Sequence, residues 1–467
     1  MSSPKEAVEA VVEAGQGVAH HAPEVVFGWD GMIVSSVVLV LAYVFIISEK
    51  INRAVIALLG AGLMIFLGVL NQELAVEGID FNTIFLLIGM MVIVGIMKDS
   101  GVFQYVAILA AKSVRGNPRA LLIVLSIITA VFSALLDNVT TVMLIVPITL
   151  LLTEQLKLNP YIFLVAQIFA SNIGGMATLI GDPPNILIGS AVGFSFMDFV
   201  YNTAPAAAII MVVMIVFFDL VWGRKLTTSL KARAHLLHYK PEEALTDKPL
   251  LMKSLFVLLL VIFGFVVGHG QGIEPGTTAL TGAALLMLLN IYKFDAETQT
   301  HKVHQALGEV EWETIFFFMG LFMLVYGVEH TGLLSLLGTK LLELTGGDLA
   351  YTGFVILWAS AVFSAIVDNI PFVATMIPLI ESTAPSFGGA EAIKPLWWSL
   401  ALGACLGGNG SIIAASANVM VASFAEKAGH RISFVKFLKL AFPMMLATIA
   451  IAHVYVKFVY FPGRLNI

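Results

Sequence analysis

Long apolar stretches alternate with short polar connections along almost the whole chain. Nearly all of the stretches hold at least 16 residues, and about 20 apolar residues are enough for a helix to cross the hydrocarbon core of a bilayer. The pattern therefore predicts a membrane protein that crosses the bilayer many times as helices rather than as a barrel. The apolar stretches cover residues 32–48, 53–70, 83–111, 120–155, 160–192, 203–222, 254–268, 277–292, 314–342, 351–385, 396–423 and 434–460.

Two nine-residue segments in different parts of the chain have almost the same sequence. Residues 130–138 read AVFSALLDN and residues 361–369 read AVFSAIVDN, an offset of 231 residues. Thr83 and Thr314 have the same offset, and each begins a Thr-Ile-Phe sequence. These repeats predict that the chain is an internal duplication. Each copy ends with an Asp-Asn pair inside an apolar stretch, where an ionisable side chain is costly and indicates a functional site.

Each half also contains a glycine-rich interruption in the apolar stretch that follows its Asp-Asn pair. The first runs from SNIGG at 171–175 to GDPPN at 181–185, and the second from GGNGS at 407–411 to SAN at 416–418. Glycine allows the φ values that a helix break needs, and proline cannot continue a helix. We therefore predict one broken helix in each half. Packing kinks between helices are the alternative interpretation.

Lysine and arginine residues concentrate in alternate connections, above all in the basic segment 223–253. By the positive-inside rule these connections lie on the cytoplasmic side, and the stretches 120–155 and 351–385 then each enter and leave on one side. Each is predicted to be a re-entrant hairpin, and the two hairpins enter from opposite sides. Lys340 and Lys394 are the exceptions to the rule, one on each flank of the second hairpin. The two halves consequently have opposite orientations in the membrane.

The predicted fold is an all-α polytopic membrane protein of two inverted-topology repeats, each with about five transmembrane helices, a re-entrant hairpin and a broken helix. Inverted repeats with broken helices are typical of secondary transporters, whose binding site lies near the membrane midplane. The predicted location is the cell inner (plasma) membrane. The predicted regions are an extracytoplasmic tail (1–30), repeat 1 (31–222, hairpin 120–155, broken helix 160–192), a cytoplasmic linker (223–253) and repeat 2 (254–467, hairpin 351–385, broken helix 396–423).

The composition supports a membrane protein and argues against several other classes. Of 467 residues, 59% are hydrophobic and 12% are charged, whereas soluble domains carry roughly 25% charged residues. The single cysteine, Cys405, excludes a disulfide framework and a centre of several thiolates, and we expect no cofactor and no metal site. The N-terminal residues show no signal-peptide pattern. The sequence contains no HExxH or nucleophile motif, so we predict a transporter rather than an enzyme, with no nucleic acid partner.

Three aspartates are predicted to carry the coupling proton or cation: Asp137, Asp368 and Asp182. Asp137 and Asp368 can also be N-caps of the second hairpin arms, a role that does not exclude titration. Asp182 has no acidic counterpart because Ala415 occupies the matching position. It is either a turn residue beside two prolines or an asymmetric titrating group. The residues predicted to bind the transported solute are Asn138, Asn172, Gly174, Gly175, Asn185, Asn369, Gly407, Gly408, Asn409, Ser411 and Asn418.

Three motifs carry a resemblance to a known group of proteins. They are SALLDNVTT at 133–141, SNIGG at 171–175 with IGDPPN at 180–185, and GACLGGNG at 403–410. In these motifs the chain resembles the ion transporter superfamily, in the branch that contains the ArsB arsenite pumps, the NhaD sodium/proton antiporters and the mammalian P protein. The resemblance extends over most of the chain and implies secondary active transport by alternating access, with the ArsB-like permeases as the nearest type.

Departures from the patterns of the superfamily bear on the substrate. Its dicarboxylate carriers have Ser-Asn-Thr at both hairpin tips, whereas this chain has Asp-Asn, whose carboxylates repel a dianion unless they are protonated or bind sodium. NhaD antiporters tend to place hydroxyl residues after their Gly-Asp pair, where this chain has Pro183 and Pro184. These differences favour arsenite efflux or a P-protein-like activity.

The leading hypothesis is therefore proton-coupled efflux of arsenite and antimonite. Neutral arsenite carries hydroxyl groups that both donate and accept hydrogen bonds, which suits asparagine side chains and open backbone groups. A sodium/proton antiporter of the NhaD type is the alternative, and an anion or dicarboxylate carrier is a further one. The predicted partners are arsenite or antimonite, or Na⁺ with protons, and the lipid bilayer. A homodimer and a soluble ATPase bound at the basic linker stay open.

Overall fold

The computed structural model describes residues 25–48 and 50–462, and every regular element in this part of the chain is a helix. Most of the tail predicted at 1–30 lies outside the described residues. The α-helices up to the central linker are Gly31–Ser48, Arg53–Phe66, Gln72–Glu77, Phe81–Lys98, Val102–Ser113, Pro118–Leu135, Asn138–Gln155, Tyr161–Gly175, Pro183–Val192, Phe196–Asn202 and Ala204–Val221. The later α-helices are Leu230–Leu237, Lys248–Val267, Pro275–Ile291, Ala296–Gly308, Trp312–His330, Leu333–Thr345, Leu349–Ile366, Asn369–Glu381, Ala384–Phe387, Lys394–Gly407, Ser416–Lys427 and Phe434–Val459. Short 3-10 helices occur at Val26–Gly28, Gly223–Lys225, Pro241–Ala244, Gly268–Gln271 and Ile412–Ala414.

Nine helices within the described residues are long and apolar enough to cross a membrane. They include Pro118–Leu135, Asn138–Gln155 and the 26-residue helix Phe434–Val459. Shorter apolar helices of 10–17 residues accompany them, among them Tyr161–Gly175 and Asn369–Glu381. The fold is the all-helical polytopic architecture that the sequence predicts.

The chain forms two compact units. The first consists of residues up to Ile79 together with Gly320–Leu333, and its first two long helices pack against each other. The second consists of Asp80–Met319 and the residues from Leu334 onward. All residues of the candidate site described below belong to the second unit.

The second unit contains two helical hairpins, in each of which two residues connect the arms. An asparagine or aspartate caps the start of all four arms by accepting backbone N–H groups. Each second arm contains a proline in its interior at the matching position, Pro147 or Pro378. The hairpin arms are Pro118–Leu135 and Asn138–Gln155 in hairpin 1, and Leu349–Ile366 and Asn369–Glu381 in hairpin 2.

Each hairpin is followed by a broken helix. In broken helix 1 the chain leaves the helical conformation after Gly175 and resumes it at Pro183, a position where proline is tolerated because the first helical N–H has no partner within the helix. Both breaks are shorter than predicted, because Gly174, Gly175 and Gly407 at their start are helical and helix resumes at Pro183 and Ser416. Broken helix 1 is Tyr161–Gly175 with Pro183–Val192, and broken helix 2 is Lys394–Gly407 with Ser416–Lys427.

The same contacts join hairpin and broken helix in both halves. A Cβ added at Gly174 would lie 2.2 Å from the carbonyl oxygen of Ala130, and one added at Gly407 would lie 2.6 Å from that of Ala361. Ala130 and Ala361 begin the duplicated nine-residue segment. In each half the two backbones therefore meet directly, and a side chain larger than hydrogen does not fit between them.

Two predicted apolar stretches are each divided into two helices. The stretch 83–111 forms Phe81–Lys98 and Val102–Ser113, and the stretch 314–342 forms Trp312–His330 and Leu333–Thr345. The divisions occur at Gly101 and Gly332, which have φ values of 78° and 85° and are 231 residues apart. Left-handed backbone of this kind favours glycine and ends a helix. The polar helix Ala296–Gly308 was not predicted because it lacks a membrane-like apolar stretch.

Candidate functional site

Both hairpin tips place an aspartate at the N-terminus of the second arm. Oδ1 of Asp137 accepts the backbone N–H of Thr140 at 2.8 Å, and Oδ2 accepts the Thr140 hydroxyl. Oδ1 of Asp368 accepts the backbone N–H of Ile370 at 3.2 Å, and Oδ2 accepts the hydroxyl of Ser416 at 3.3 Å. Both aspartates thus act as N-caps, but only Asp368 bonds to the broken helix of its own half.

Asn172 joins the two halves of the chain. Its Nδ2 donates to Oδ1 of Asn409 and to Oδ1 of Asn418, each at 3.1 Å. Oδ1 of Asn172 accepts from Nδ2 of Asn138 at 3.3 Å. Nδ2 of Asn138 also donates to Oδ1 of Asp182 at 3.1 Å. These five buried residues form a continuous set of hydrogen bonds, which we call the central network.

Asn185 and Asn418 hold the two breaks closed. Nδ2 of Asn185 donates to the carbonyl oxygens of Met176 at 3.2 Å and Thr178 at 2.8 Å. Nδ2 of Asn418 donates to those of Gly408 at 2.6 Å and Ser411 at 2.8 Å. Both asparagines therefore satisfy backbone carbonyl groups that the breaks leave without helical partners, as a buried non-helical backbone requires.

Several buried polar atoms around the central network have no hydrogen-bond partner. Oδ1 of Asn138 and Oδ2 of Asp182 are acceptors, Nδ2 of Asn369 and Nδ2 of Asn409 are donors, and the hydroxyl of Ser411 can do both. All five side chains are at most 2% exposed. Buried polar groups in native proteins almost always have a partner, so a solute, an ion or water fits between these atoms.

Asp182 lies among acidic and neutral groups. The side chains that act on it electrostatically or by hydrogen bonding include Asp368, Asp137, Asn369 and the Cys405 thiol, and none of them is a cation. Asn369 and the Cys405 thiol approach Asp182 as hydrogen-bond donors, although Nδ2 of Asn369 and Oδ2 of Asp182 form no hydrogen bond of standard geometry. Asp182 therefore meets hydrogen-bond donors and other acids but no positive charge.

Apart from Asp137 and Asp368, the predicted site residues fall into three sets. The central network and Asn369 combine side chains from both hairpins and both broken helices, and Ser411 offers its unpartnered hydroxyl beside them. Asn185 is engaged with its own break, and its Oδ1 accepts the Cys405 thiol at 3.5 Å. The predicted glycines pack against backbone or neighbouring side chains. The glycines of this third set are Gly174, Gly175, Gly407 and Gly408.

Two contributors to the site were not predicted. Thr140 and Ser416 bond to the tip aspartates, and a hydroxyl next to a cap gave no signal of its own in the sequence. The duplication does contain a signal, because Thr140 matches Pro371 at an offset of 231 residues and Ser416 matches Pro183 at an offset of 233. An exchange of hydroxyl for proline at matched positions marks where the halves differ.

Curated relatives match most of the chain at moderate identity. An uncharacterized transporter of Mycobacterium tuberculosis, Rv2684, is 41% identical over 433 residues, which cover 92% of this chain and 99% of the relative. The human P protein is 33% identical over an alignment that covers 90% of this chain and 59% of the P protein.

Solved structures with low identity share the fold. The Alcanivorax borkumensis YdaH transporter matches with a TM-score of 0.58 and 12% identity over 93% of this chain and 99% of that one. Neisseria gonorrhoeae MtrF, described as illuminating a class of antimetabolite efflux pumps, matches with a TM-score of 0.57 and 11% identity over 97% and 98%. The family described as citrate transporter matches residues 43–403. The chain is thus a membrane transporter that belongs to the citrate transporter family, CitMHS.

Proposed function

We propose that this transporter is a proton-coupled secondary carrier that exports arsenite and antimonite across the cell inner membrane by alternating access. The observation that supports the proposal is the group of buried donors and acceptors without partners around the central network. The cargo would supply the missing hydrogen bonds during transport. Water would supply them between transport cycles.

The balance of donors and acceptors favours a small hydroxylated cargo. Asn138 and Asp182 present acceptors, whereas Asn369 and Asn409 present donors. The three hydroxyl groups of arsenite can donate to the first pair and accept from the second, and the hydroxyl of Ser411 can bond in either sense. A fully deprotonated anion without hydroxyl groups, which only accepts hydrogen bonds, would leave the two acceptors unsatisfied.

The charges also favour a neutral cargo over a polycarboxylate. The groups around Asp182 include two more aspartates and no cation. A polycarboxylate such as citrate, after which the family is named, would require several protons or cations to offset repulsion at this position. Neutral arsenite meets no such repulsion.

Coupling would follow from competition between a proton and the cargo at a buried aspartate. A carboxylate oxygen accepts from an arsenite hydroxyl, and the protonated form loses part of that acceptor capacity. Movement of a hairpin together with its broken helix would then carry the site from one side of the membrane to the other. The basic linker 223–253 remains a proposed docking site for a soluble ATPase, and a homodimer remains a proposed assembly.

Sodium/proton antiport is the second candidate. Oδ1 of Asn138 and Oδ2 of Asp182 are oxygen atoms of the kind that Na⁺ binds, and both lack partners. The donors on Asn369 and Asn409 would have no role in binding a cation. Substitution of these amide donors should therefore distinguish arsenite transport from sodium/proton antiport.

Transport by inside-out vesicles tests the proposal. Arsenite uptake driven by an imposed proton gradient is expected, with loss of uptake in the presence of a protonophore. Asn409→Ala should impair uptake because it removes an unpartnered donor. Asn290→Ala is the matched control, because Asn290 lines a separate cavity beside Asp99. Sodium-driven proton movement without arsenite uptake would favour the second candidate and reject the first.

A further inference from the structure

The second unit contains two cavities whose lining residues lie outside the central network. The first has a volume of about 340 Å³ and is lined mainly by polar, charged and aromatic side chains. We call it the polar cavity, and its lining includes Asp198, Asn202, His269, Glu391, Lys394 and Trp398. The second has a volume of about 170 Å³ and lies between the helices Ala204–Val221 and Phe434–Val459. We call it the apolar groove, and its lining includes Ala206, Ile209, Ile210, Val454, Tyr455 and Phe458.

The polar cavity and the apolar groove meet at one hydrogen bond. The hydroxyl of Tyr455, which lines the groove, donates to the carbonyl oxygen of Asn202, which lines the cavity, at 2.9 Å. The hydroxyl of Tyr460 donates to the same oxygen at 2.7 Å. Ala206 follows Asn202 by four residues and already lines the groove. The two spaces therefore adjoin, and one ligand with a polar and an apolar part can occupy both.

The predicted orientation puts this surface at the outer side of the membrane. Lys427 and Arg431 precede the helix Phe434–Val459, so the start of that helix is predicted to be cytoplasmic and its end, with Tyr455, to be outside. His269 lies in a connection without lysine or arginine, which is also predicted to be outside. Tyrosine is enriched at the membrane–water interface. The polar cavity is thus at the depth of the lipid headgroups, and the groove lies beside the acyl chains of the outer leaflet.

The apolar groove has a buried floor and exposed walls. Ala206 and Ile210 are 1% and 0% exposed, whereas Ile209 and Val454 are 48% and 53% exposed. Exposed apolar side chains of a helix that crosses a membrane contact lipid or another helix. A helix is about 10 Å wide, which is too wide for a groove of about 170 Å³. An acyl chain is slender and fits this shape.

The polar cavity is lined by one lysine and two acids. Nζ of Lys394 contacts Oε2 of Glu391 at 2.6 Å, and its other N–H groups can donate to a phosphate. The backbone N–H and the hydroxyl of Ser195 both donate to Oδ2 of Asp198, so Oδ1 can accept from a further donor. Oε1 of Glu391 can also accept. A headgroup with one phosphate and one ammonium group complements these charges.

We propose that the polar cavity and the apolar groove together bind one phospholipid of the outer leaflet that carries an ethanolamine headgroup. Its phosphate accepts from Lys394, and its ammonium group donates to Asp198 and Glu391. One of its acyl chains occupies the apolar groove. Gly193, which follows broken helix 1, and Lys394, which begins broken helix 2, both line the polar cavity. The bound headgroup therefore contacts the two elements whose movement is proposed for transport.

The same residues discriminate against two other kinds of headgroup. An anionic headgroup without an ammonium group places its charge beside Asp198 and Glu391 with nothing to offset the repulsion. A choline headgroup has no N–H donor for these carboxylates and binds best over an open aromatic face. Phe194 stacks on Trp398 with ring centroids 4.5 Å apart, and Trp398 is 5% exposed, so this face is covered.

The first test is the melting temperature of the purified, delipidated full-length protein in detergent. Dioleoyl phosphatidylethanolamine should raise it more than the phosphatidylglycerol or phosphatidylcholine with the same acyl chains, because a ligand of the folded state stabilises it. Glycerophosphoethanolamine, which has the headgroup without acyl chains, should not raise it. An equal effect of all three lipids, a larger effect of phosphatidylglycerol, or an equal effect of the free headgroup would overturn the proposal.

The charge contacts are tested by a double variant, Lys394→Gln with Glu391→Gln. Native mass spectrometry should show binding of phosphatidylethanolamine weakened about tenfold, the loss expected for two exposed charge contacts. The matched control is Lys340→Gln with Glu343→Gln, because this pair has the same spacing, an N–O distance of 2.7 Å and similar exposure outside the cavity. Equal binding by the two double variants would contradict the assignment of the headgroup.

The groove is tested by Val454→Trp, which fills it. Val435→Trp is the control, since both valines are exposed on the same helix, at 53% and 56%, and Val435 does not line the groove. Val454→Trp should weaken phosphatidylethanolamine binding, and Val435→Trp should not. Both variants should melt like the wild-type protein without lipid. If Val454→Trp instead changes the proportion of dimer and leaves lipid binding intact, the groove is an interface between copies and the proposal is wrong.

The result does not depend on the cargo. Vesicles of the double variant that still transport arsenite, together with the loss of lipid binding, leave both proposals standing. Failure of arsenite uptake by the wild-type protein rejects the proposed cargo alone, because lipid binding is measured without any cargo.

Discussion

Nδ2 of Asn172 donates to Oδ1 of Asn409 at 3.1 Å, so an asparagine from one broken helix bonds to an asparagine from the other. The contact pairs two different positions of the duplication, because Asn172 matches Cys405 and not Asn409. The repeats therefore do not meet as equivalent surfaces. The side-chain amide of Asn172 in the first half bonds to two asparagines of the second half. The thiol of Cys405, at the matching position of the second half, bonds to Asn185 instead.

Asn172→Ala should destabilise the protein and impair transport. The substitution removes two donated bonds and the acceptor for Asn138, and it leaves buried amide groups of the partners unsatisfied. Each unsatisfied group costs about 1–3 kcal/mol. Thermal unfolding of the purified variant, with Asn290→Ala as the control, measures the loss. A variant as stable as the control would show that water replaces the amide at no cost.

Gly174→Ala and Gly407→Ala should destabilise the protein by similar amounts. In each variant the new methyl group would meet a backbone carbonyl oxygen, at 2.2 Å from Ala130 or 2.6 Å from Ala361. Overpacking of this kind costs about 1–3 kcal/mol. The control is Gly62→Ala, since a Cβ there has nothing within 4 Å and alanine favours a helix. Melting temperatures of the two glycine variants no lower than that of the control would show that the hairpin and the helix separate readily.

Asp99 should make stability decrease from acidic towards neutral pH. It lies in the connection after Phe81–Lys98, and Nε2 of Gln305 donates to its Oδ2 at 3.0 Å. Burial is the main cause that raises the pKa of Asp99; Lys98 opposes the increase and Glu309 adds to it. The contribution to stability is fully present below the unfolded-state pKa and is lost as the pH rises through the folded-state value.

The contrast for Asp99 is Asp295, whose pKa is lowered chiefly by the hydroxyl and the backbone N–H of Thr298. Its contribution is present above the unfolded-state pKa and is lost as the pH falls. Asp99→Asn should therefore reduce the loss of stability on going to neutral pH, and Asp295→Asn should reduce the loss on going to acid. Melting curves over a pH series should show the two variants changing in opposite senses. Changes of the same sign would contradict the assignment.

Single cysteine substitutions test the predicted orientation. The native Cys405 is fully buried and should not react with a membrane-impermeant maleimide. Gln271→Cys, at an exposed position predicted to lie outside, should be labelled in intact cells. Lys240→Cys, at an exposed position of the predicted cytoplasmic linker, should be labelled only after lysis. The reverse pattern would invert the predicted topology.

The sequence predicts the fold well because membrane helices and duplications leave strong signals. A constant offset relates Ala130 to Ala361, and the structure gives both the same role against a glycine of the broken helix. The helix boundaries are less accurate near the breaks, because Gly174 and Gly175 are tolerated in a helix when packing requires small residues there. Because glycine has a low helix propensity, the sequence predicts a break at such positions, whereas contacts with a neighbouring helix keep them helical.

The site is less predictable, because spacing along the chain does not reveal how the side chains pair. Asn185 and Asn172 are both buried asparagines of the same broken helix, yet one closes its own break and the other bonds across to the second half. The hydroxyl that donates to Oδ2 of Asp368 belongs to Ser416 of another helix. Its distance along the chain from the aspartate follows no rule that a sequence pattern could reveal. Such pairings depend on the packing of four helical segments at once.

The backbone contacts of Gly174 and Gly407 have a mechanical consequence. Where two backbones touch, no flexible side chain lies between them to absorb strain, and a densely packed interior has low compressibility. A force on either hairpin should therefore be transmitted to its broken helix without delay or loss of amplitude. Elastic deformation would concentrate instead in the connections between these paired elements.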